Sequence, residues 1–226
     1  GWSQSAQNAS EVARVAEQAG AAAIVVHGRT REQRYSRPAD WDAIARIASE
    51  RTVPVIGNGD ITTPESAKHM MDTTGCHGVS VGRGAFYNPW IFKHTKHHLR
   101  TGELLPEPRF AERVRVMRRH FDLMLEVFGE KRGCLMFRKV APWYAKRFGP
   151  AKPFNKAIVQ ISTRENFESA LADYLDWRQQ FVSADGELIE RYRQKPMMPS
   201  FMKNDDEPSD AKRKAIPVPK GPVEVW

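Results

Sequence analysis

Three short apolar runs, each followed by a glycine-bearing polar loop and a stretch of helical periodicity, constrain this chain more than any other feature. The runs begin at Ala22, Val53 and Gly78, 31 and 25 residues apart, the spacing of successive βα units. Strands joined by crossover helices must pair in parallel. Asn8-Ala-Ser-Glu11 reads as a capping box opening a helix, with Val12, Val15, Ala16 and Ala19 on one face and Gly20 as its stop. Ala22–His27 is nearly all apolar, as expected of a parallel strand covered on both faces. Gly28–Ala39 forms a polar loop, and Asp40 stands as the N-cap of the next helix. Val53–Gly57 is a second strand, and Thr62-Thr-Pro-Glu65 combines a cap, a proline and a first-turn acid at the start of a helix. Gly78–Val81 is the third strand. A closed (β/α)₈ barrel takes eight strands and about 250 residues. These three units therefore form either a small open sheet or the back part of a barrel.

The pattern changes after residue 92. Phe110, Val114, Met117, Phe121, Met124 and Phe128 step by 4, 3, 4, 3 and 4, marking one face of a long helix that Gly129 ends. Arg132–Phe148 is helical in pattern but contains Pro142, which predicts a kink or break. Ser162-Thr-Arg-Glu165 is a second capping box, ahead of Phe167, Leu171, Tyr174 and Phe181. Short connections between such helices favour a bundle. Beyond residue 183 the periodicity fades and six prolines crowd the end, so 183–226 is expected to be a disordered tail.

Charge follows the same division. Residues 1–92 carry 9 basic and 9 acidic side chains, residues 93–164 carry 17 and 6, and residues 165–226 carry 9 and 12. The middle segment holds all of the net excess of +8, the footprint expected of a surface for a polyanion, nucleic acid first, or else of a solvated helical face. No apolar stretch approaches the roughly 18 residues of a membrane span, and no signal peptide is readable. Cys76 and Cys134 alone cannot build a disulfide framework or metal cluster. No spacing of metal ligands stands out, His94, His97 and His98 included. The expected setting is reducing and cytoplasmic, without membrane or metal partners.

In parallel α/β sheets ligands bind at the carboxyl ends of the strands. His27-Gly-Arg-Thr30, Gly57-Asn-Gly-Asp60 and Gly82-Arg-Gly84 all follow strands and so share one mouth. Glycines there either make tight turns or let backbone N–H groups approach an anion, to which Arg83 adds a guanidinium. Neither glycine loop completes the dinucleotide pattern. His27 is a structural residue or a donor to a ligand. Asp60 is a cap, a hydroxyl-binding acid or a base. Cys76 lies before its strand, away from the mouth, and Cys134 belongs to a helical core.

Taken together, Val26-His-Gly-Arg-Thr-Arg31, Val53-Pro-Val-Ile-Gly-Asn-Gly-Asp-Ile61, Val81-Gly-Arg-Gly-Ala85 and Asn88-Pro-Trp-Ile91 resemble the tRNA-dihydrouridine synthases, particularly their bacterial B-type branch. Thr101-Gly-Glu-Leu-Leu-Pro106 and Arg138-Lys139 with Trp143-Tyr144 resemble the helical domain of that family. The resemblance spans about residues 1–182. It implies an α/β fold: the C-terminal part of a TIM barrel that binds FMN over 1–92, then a helical tRNA-binding domain over 93–182. The implied activity is reduction of tRNA uridines to 5,6-dihydrouridine, with NADPH as reductant. The implied cofactor residues are His27, Asn58, Gly59, Asp60, Gly82 and Arg83, and the implied RNA contacts are Arg29, Arg138 and Lys139. Binding would rest on phosphate contacts and on a splayed-out target base.

This sequence departs from the family pattern in four respects. No residue matches the family's catalytic cysteine, the early flavin contacts or a lysine of a middle strand, and Val140 stands where many relatives carry histidine. The chain is therefore expected to be a C-terminal fragment that is inactive alone, with exposed strand edges. Two alternatives stand beside it: an RNA-binding module without chemistry, and an FMN barrel acting on a small molecule.

Overall fold

A computed structural model describes residues 1–184 and 186–195. The described chain forms two compact units: residues 1–85 with 89–105, and residues 86–88 with 106–195. Each is described by itself.

The first unit is a mixed α/β structure around a three-stranded parallel sheet. Its elements run α1 (Ala9–Gln18), β1 (Ile24–His27), α2 (Trp41–Glu50), β2 (Val55–Asn58), α3 (Pro64–Thr74) and β3 (Gly78–Ser80). α5 (Ile91–Thr101) also belongs here, after the single turn α4 (Gly84–Tyr87). The strand order is β1-β2-β3, so each crossover helix joins sheet neighbours. The pairing sets His27 beside Asn58 and Asn58 beside Ser80. The carboxyl ends of all three strands are thereby level. Ile44 and Ile47 of α2, Val55, Ile61, Ala67 and Met70 of α3, and Ile91 form the core. Asp40 caps α2 by accepting from the Ala43 amide at 2.9 Å. Thr63 caps α3 in a reciprocal box with Ser66, while Glu65 is only a first-turn acid.

Several expectations change on contact with the structure. Asn8 is the N-cap of α1 but its side chain makes no capping bond. β1 is not covered on both faces: Val26 is buried, but Val25 is 63% exposed, as are about half of Val12 and Val15 on α1. An apolar run reports that a strand prefers burial; what covers it depends on its neighbours. The boundary at 92/93 also moves, because Ile91 is buried in the core of the sheet unit and carries α5 with it.

The second unit packs α6 (Phe110–Phe128), α7 (Glu130–Ala145), α8 (Lys152–Ile158) and α9 (Arg164–Arg178) around one aromatic core. Phe121 lies 4.7 Å from Phe137 and 4.5 Å from Phe167, ring centre to ring centre. Tyr174, Phe148 and Phe154 extend the cluster. Gly133 lets α7 come close to α6, since a β-carbon there would stand 3.0 Å from the Met124 carbonyl oxygen. Pro142 does not interrupt α7, which continues to Ala145. The cap of α9 is Thr163, which accepts from the Asn166 amide, one residue later than the capping box in the sequence.

The start of the expected tail is folded. Leu188 is buried and fits against Gly149, whose β-carbon would stand 2.5 Å from a Leu188 methyl. Val182 and Leu188 pair across an antiparallel bridge, and Phe181 packs edge-on against Tyr192. One leucine and two aromatics anchor this segment, too few to produce a period. The expectation for 196–226 lies outside the described residues.

Candidate functional site

The candidate site is the mouth where β1, β2 and β3 end. The β-ladder places His27, Asn58 and Ser80 in a row, and Asn58 Nδ2 donates to the Ser80 carbonyl at 3.1 Å, tying two strand ends together. Gly59 follows with φ of +129°, a backbone that glycine adopts without strain. A β-carbon at Gly59 would also stand 2.5 Å from the Ala39 side chain. Gly84 is required for a different reason: a β-carbon there would be 2.3 Å from the Ile61 carbonyl oxygen, so the second and third loops touch backbone to backbone. Gly82 has open space around it. Among the described residues, the amides of Gly59, Asp60, Gly82 and Arg83 have no hydrogen-bond acceptor. Four free N–H groups on two touching loops form a site suited to an anion.

The same loops carry a charged cluster. Arg29 Nη2 donates to both carboxylate oxygens of Asp60 at 2.6 and 2.7 Å, and its Nε donates to the Arg37 carbonyl at 3.0 Å. Arg83 Nη2 reaches Asp60 Oδ1 at 3.4 Å and its guanidinium lies over the Tyr35 ring at 4.0 Å from the centroid. Two cations against one carboxylate leave the cluster net positive. His27 Nε2 is 3.3 Å from Arg29 Nη1. A guanidinium can only donate, so Nε2 accepts and the imidazole proton resides on Nδ1. Loss of water on its packed side lowers the His27 pKa, the Arg29 charge lowers it further, and Asp60 works in the opposite direction. His27 is therefore neutral near pH 7.

His27, Arg29, Asn58, Gly59, Asp60, Gly82 and Arg83 thus converge on one mouth. Arg138 and Lys139 do not; they lie on α7 in the other unit. Arg138 Nε donates to the Ile161 carbonyl at 2.7 Å and braces the turn before α9, whereas Lys139 is exposed. Tyr35 and Trp41 were not singled out from the sequence. Trp41 Nε1 donates to the Gly59 carbonyl at 3.3 Å, fixing the peptide that carries the free Asp60 amide. Its position directly after the Asp40 cap was the available signal.

Cys76 and Cys134 are both buried, one in each core. Cys76 Sγ contacts the Gly78 carbonyl at the amino end of β3, opposite the mouth. Burial raises the Cys134 pKa, keeping it a thiol. Among the described residues there is no group of three or more potential metal ligands, and no helix is long and apolar enough to cross a membrane.

Some cations of residues 93–164 are paired, but Glu107 and Asp122 belong to the same segment, so only the contact to Glu168 draws on its excess. Arg113 pairs with Glu107, Arg118 with Glu168 and Arg164 with Asp122. Lys131, Lys139, Lys152 and Lys156 are exposed and make no ion pair with a described carboxylate. They supply cationic surface on the second unit.

The fold and site define an α/β protein with an amide-lined, positively charged mouth at the ends of parallel strands, joined to a helical unit with exposed lysines. Residues 1–179 match the dihydrouridine synthase (Dus) family, and the chain belongs to that family. It is 37% identical over 190 residues to tRNA-dihydrouridine synthase B of Pseudomonas putida, which covers 84% of this chain and 56% of the relative. The corresponding protein of Proteus vulgaris is 36% identical over 176 residues, covering 78% and 54%. A probable tRNA-dihydrouridine synthase of Rickettsia conorii is 39% identical over 158 residues, covering 70% and 48%. The chain spans about half the length of these curated relatives.

Proposed function

We propose that this chain supplies the cofactor-phosphate end and the tRNA-holding helices of an enzyme that reduces tRNA uridines to 5,6-dihydrouridine. The observation that carries this reading is the pair of touching glycine loops with four free amides beside Arg83. Gly59, Asp60, Gly82 and Arg83 would hold the phosphate of FMN through their backbone N–H groups. Arg83 adds positive charge, and Asn58 and His27 border the neighbouring space. These residues fit an anionic nucleotide: the amides are open, the charge is positive, and Gly82 has open space beside it. The strand order supports a segment of a closed barrel, because β1-β2-β3 shows no reversal, the feature that marks a doubly wound sheet.

FMN held there would supply hydride for the uracil ring, with NADPH as its reductant. This chain's own residues bind and orient. His27, neutral and protonated on Nδ1, can donate one hydrogen bond toward a ring carbonyl or nitrogen. The proton that completes the reduction needs a cysteine or equivalent acid at the mouth. Cys76 and Cys134 are both buried in cores, so neither takes that part. The exposed lysines of the second unit offer phosphate contacts to tRNA.

Fusing the N-terminal half of the Pseudomonas putida relative ahead of this chain tests the proposal. The fusion is expected to form dihydrouridine on an unmodified tRNA transcript with FMN and NADPH, and the chain alone is expected to bind FMN and tRNA without turnover. Binding of tRNA that falls steeply between 50 and 200 mM salt, about 10³-fold or more for six phosphate contacts, supports the RNA surface. Binding of tRNA without FMN would favour a non-catalytic RNA module. Binding of FMN without tRNA would favour a small-molecule flavoenzyme.

A further inference from the structure

Asp60 takes a role different from the cap, hydroxyl-binding acid or base that its place in the sequence allows. A carboxylate has two oxygens and about four lone-pair sites. In Asp60 all four are used. Oδ1 accepts from Arg29 at 2.6 Å and lies 3.4 Å from Arg83, and Oδ2 accepts from Arg29 at 2.7 Å and from the Ala39 amide at 2.8 Å. Asp60 is one of two non-glycine residues with positive φ among those described, at +59°. Asp tolerates this left-handed conformation better than most residues. The conformation keeps the Asp60 amide free while its carboxylate faces the loop of residues 28–40. That loop is also held by the Asp40 amide, which donates to the Gly28 carbonyl at 2.6 Å.

We propose that Asp60 is a positioning residue: its carboxylate latches the 28–40 loop and sets Arg29 and Arg83 around the free amides, without contacting the ligand. The effect on the ligand rests on the flavin proposal above; the latch does not. Asp60 neutralises part of the charge of both arginines, and it holds Arg83 beside the anion site through Oδ1. Loss of the carboxylate frees both guanidinium groups to move. The free amides stay in place, but the cation that complements them is no longer fixed.

Two measurements on the full 226-residue chain test this, with Asp60→Asn as a near-isosteric variant that retains the left-handed preference and Asp60→Ala as the full truncation. The first is titration with FMN and with riboflavin, which lacks the phosphate. Positioning for an anion predicts at least a tenfold loss of FMN affinity in Asp60→Ala, a smaller loss in Asp60→Asn, and riboflavin affinity within twofold of the parent. An equal loss for both ligands indicates a direct contact with the ribityl hydroxyls and overturns the proposal. The second needs no flavin: tryptic cleavage after Arg31 and Arg34, in the latched loop. Cleavage is expected to accelerate at least fivefold in both variants, with circular dichroism confirming the fold. Unchanged cleavage overturns the latch, whatever the flavin result. If the parent binds no flavin while cleavage still accelerates in the variants, the latch stands and the flavin reading falls.

Discussion

The two units achieve closure to different degrees. In the helical unit, Phe121, Phe137, Phe148, Phe154, Phe167 and Tyr174 are all essentially inaccessible, and four helices surround them. In the sheet unit, the helix-facing side is equally dense, with Ile44, Val55, Ala67, Met70 and Ile91 fully buried. Yet Val12, Val15 and Val25 of the same unit stand at least half exposed. Amphipathic helices can close a core with near neighbours in sequence, while a parallel sheet needs cover on both faces and partners at both edges. The mouth, with its free amides, belongs to the unit that is less closed.

The largest effect is expected where closure is complete. Phe137→Ala removes a ring packed against Phe121 and Phe167 and should destabilise the helical unit by about 3–5 kcal/mol. Urea unfolding followed by circular dichroism checks it; a loss below about 1 kcal/mol would show that the core collapses freely around the gap.

Gly59→Ala tests the mouth. At φ of +129° and 2.5 Å from Ala39, an added methyl should cost about 1–3 kcal/mol in strain and weaken FMN binding more than it lowers the melting temperature. Unperturbed FMN affinity would mean that this backbone is not part of the anion site.

A pH-gated contribution belongs to Glu17 of α1. Its carboxylate accepts from the Thr52 hydroxyl and amide at 2.7 Å and from the Val53 amide at 3.1 Å, and it pairs with Arg51. These bonds, Thr52 first, hold its pKa down to about 2 from the ordinary 4.5. A depressed carboxylate stabilises the fold fully above pH 4.5 and loses that contribution as pH falls toward 2. Glu17→Gln should flatten the acid limb of stability over this window for the sheet unit alone. An unchanged limb would assign acid sensitivity to other groups.

The smallest effect is expected on the open face. Val25→Lys should change stability by less than about 0.5 kcal/mol while reducing self-association in light scattering. A large destabilisation would show that Val25 is covered in solution, and the contrast between the units would narrow.

The stepping of Phe110 to Phe128 specified α6 to the residue at both ends, because a long helix satisfies its backbone locally and its periodicity is direct evidence. The Asp40 cap and the parallel pairing of the three strands were equally legible. The capping details were not: Asn8 forms no side-chain bond, and Thr163 rather than Ser162 caps α9. Several polar side chains near a helix start compete for the same amides, and geometry decides among them. The docked stretch around Leu188 left no period because it relies on a few contacts distant in sequence.

The residues of the mouth show the same division. Glycine loops following apolar runs placed His27, Asn58, Gly59, Asp60, Gly82 and Arg83 at one end of a parallel sheet, since parallel strands point their loops the same way. What each group does there depended on the third dimension. Asp60 is saturated by Arg29, Arg83 and Ala39, His27 is neutral beside a guanidinium, and Trp41 holds the Gly59 peptide. Residue type and spacing therefore determined the elements, their order along the chain and the location of the candidate site. Which lone pairs and amides remain free for a ligand was decided by tertiary structure, because each hydrogen-bonding group is claimed by whichever partners the packing brings within reach.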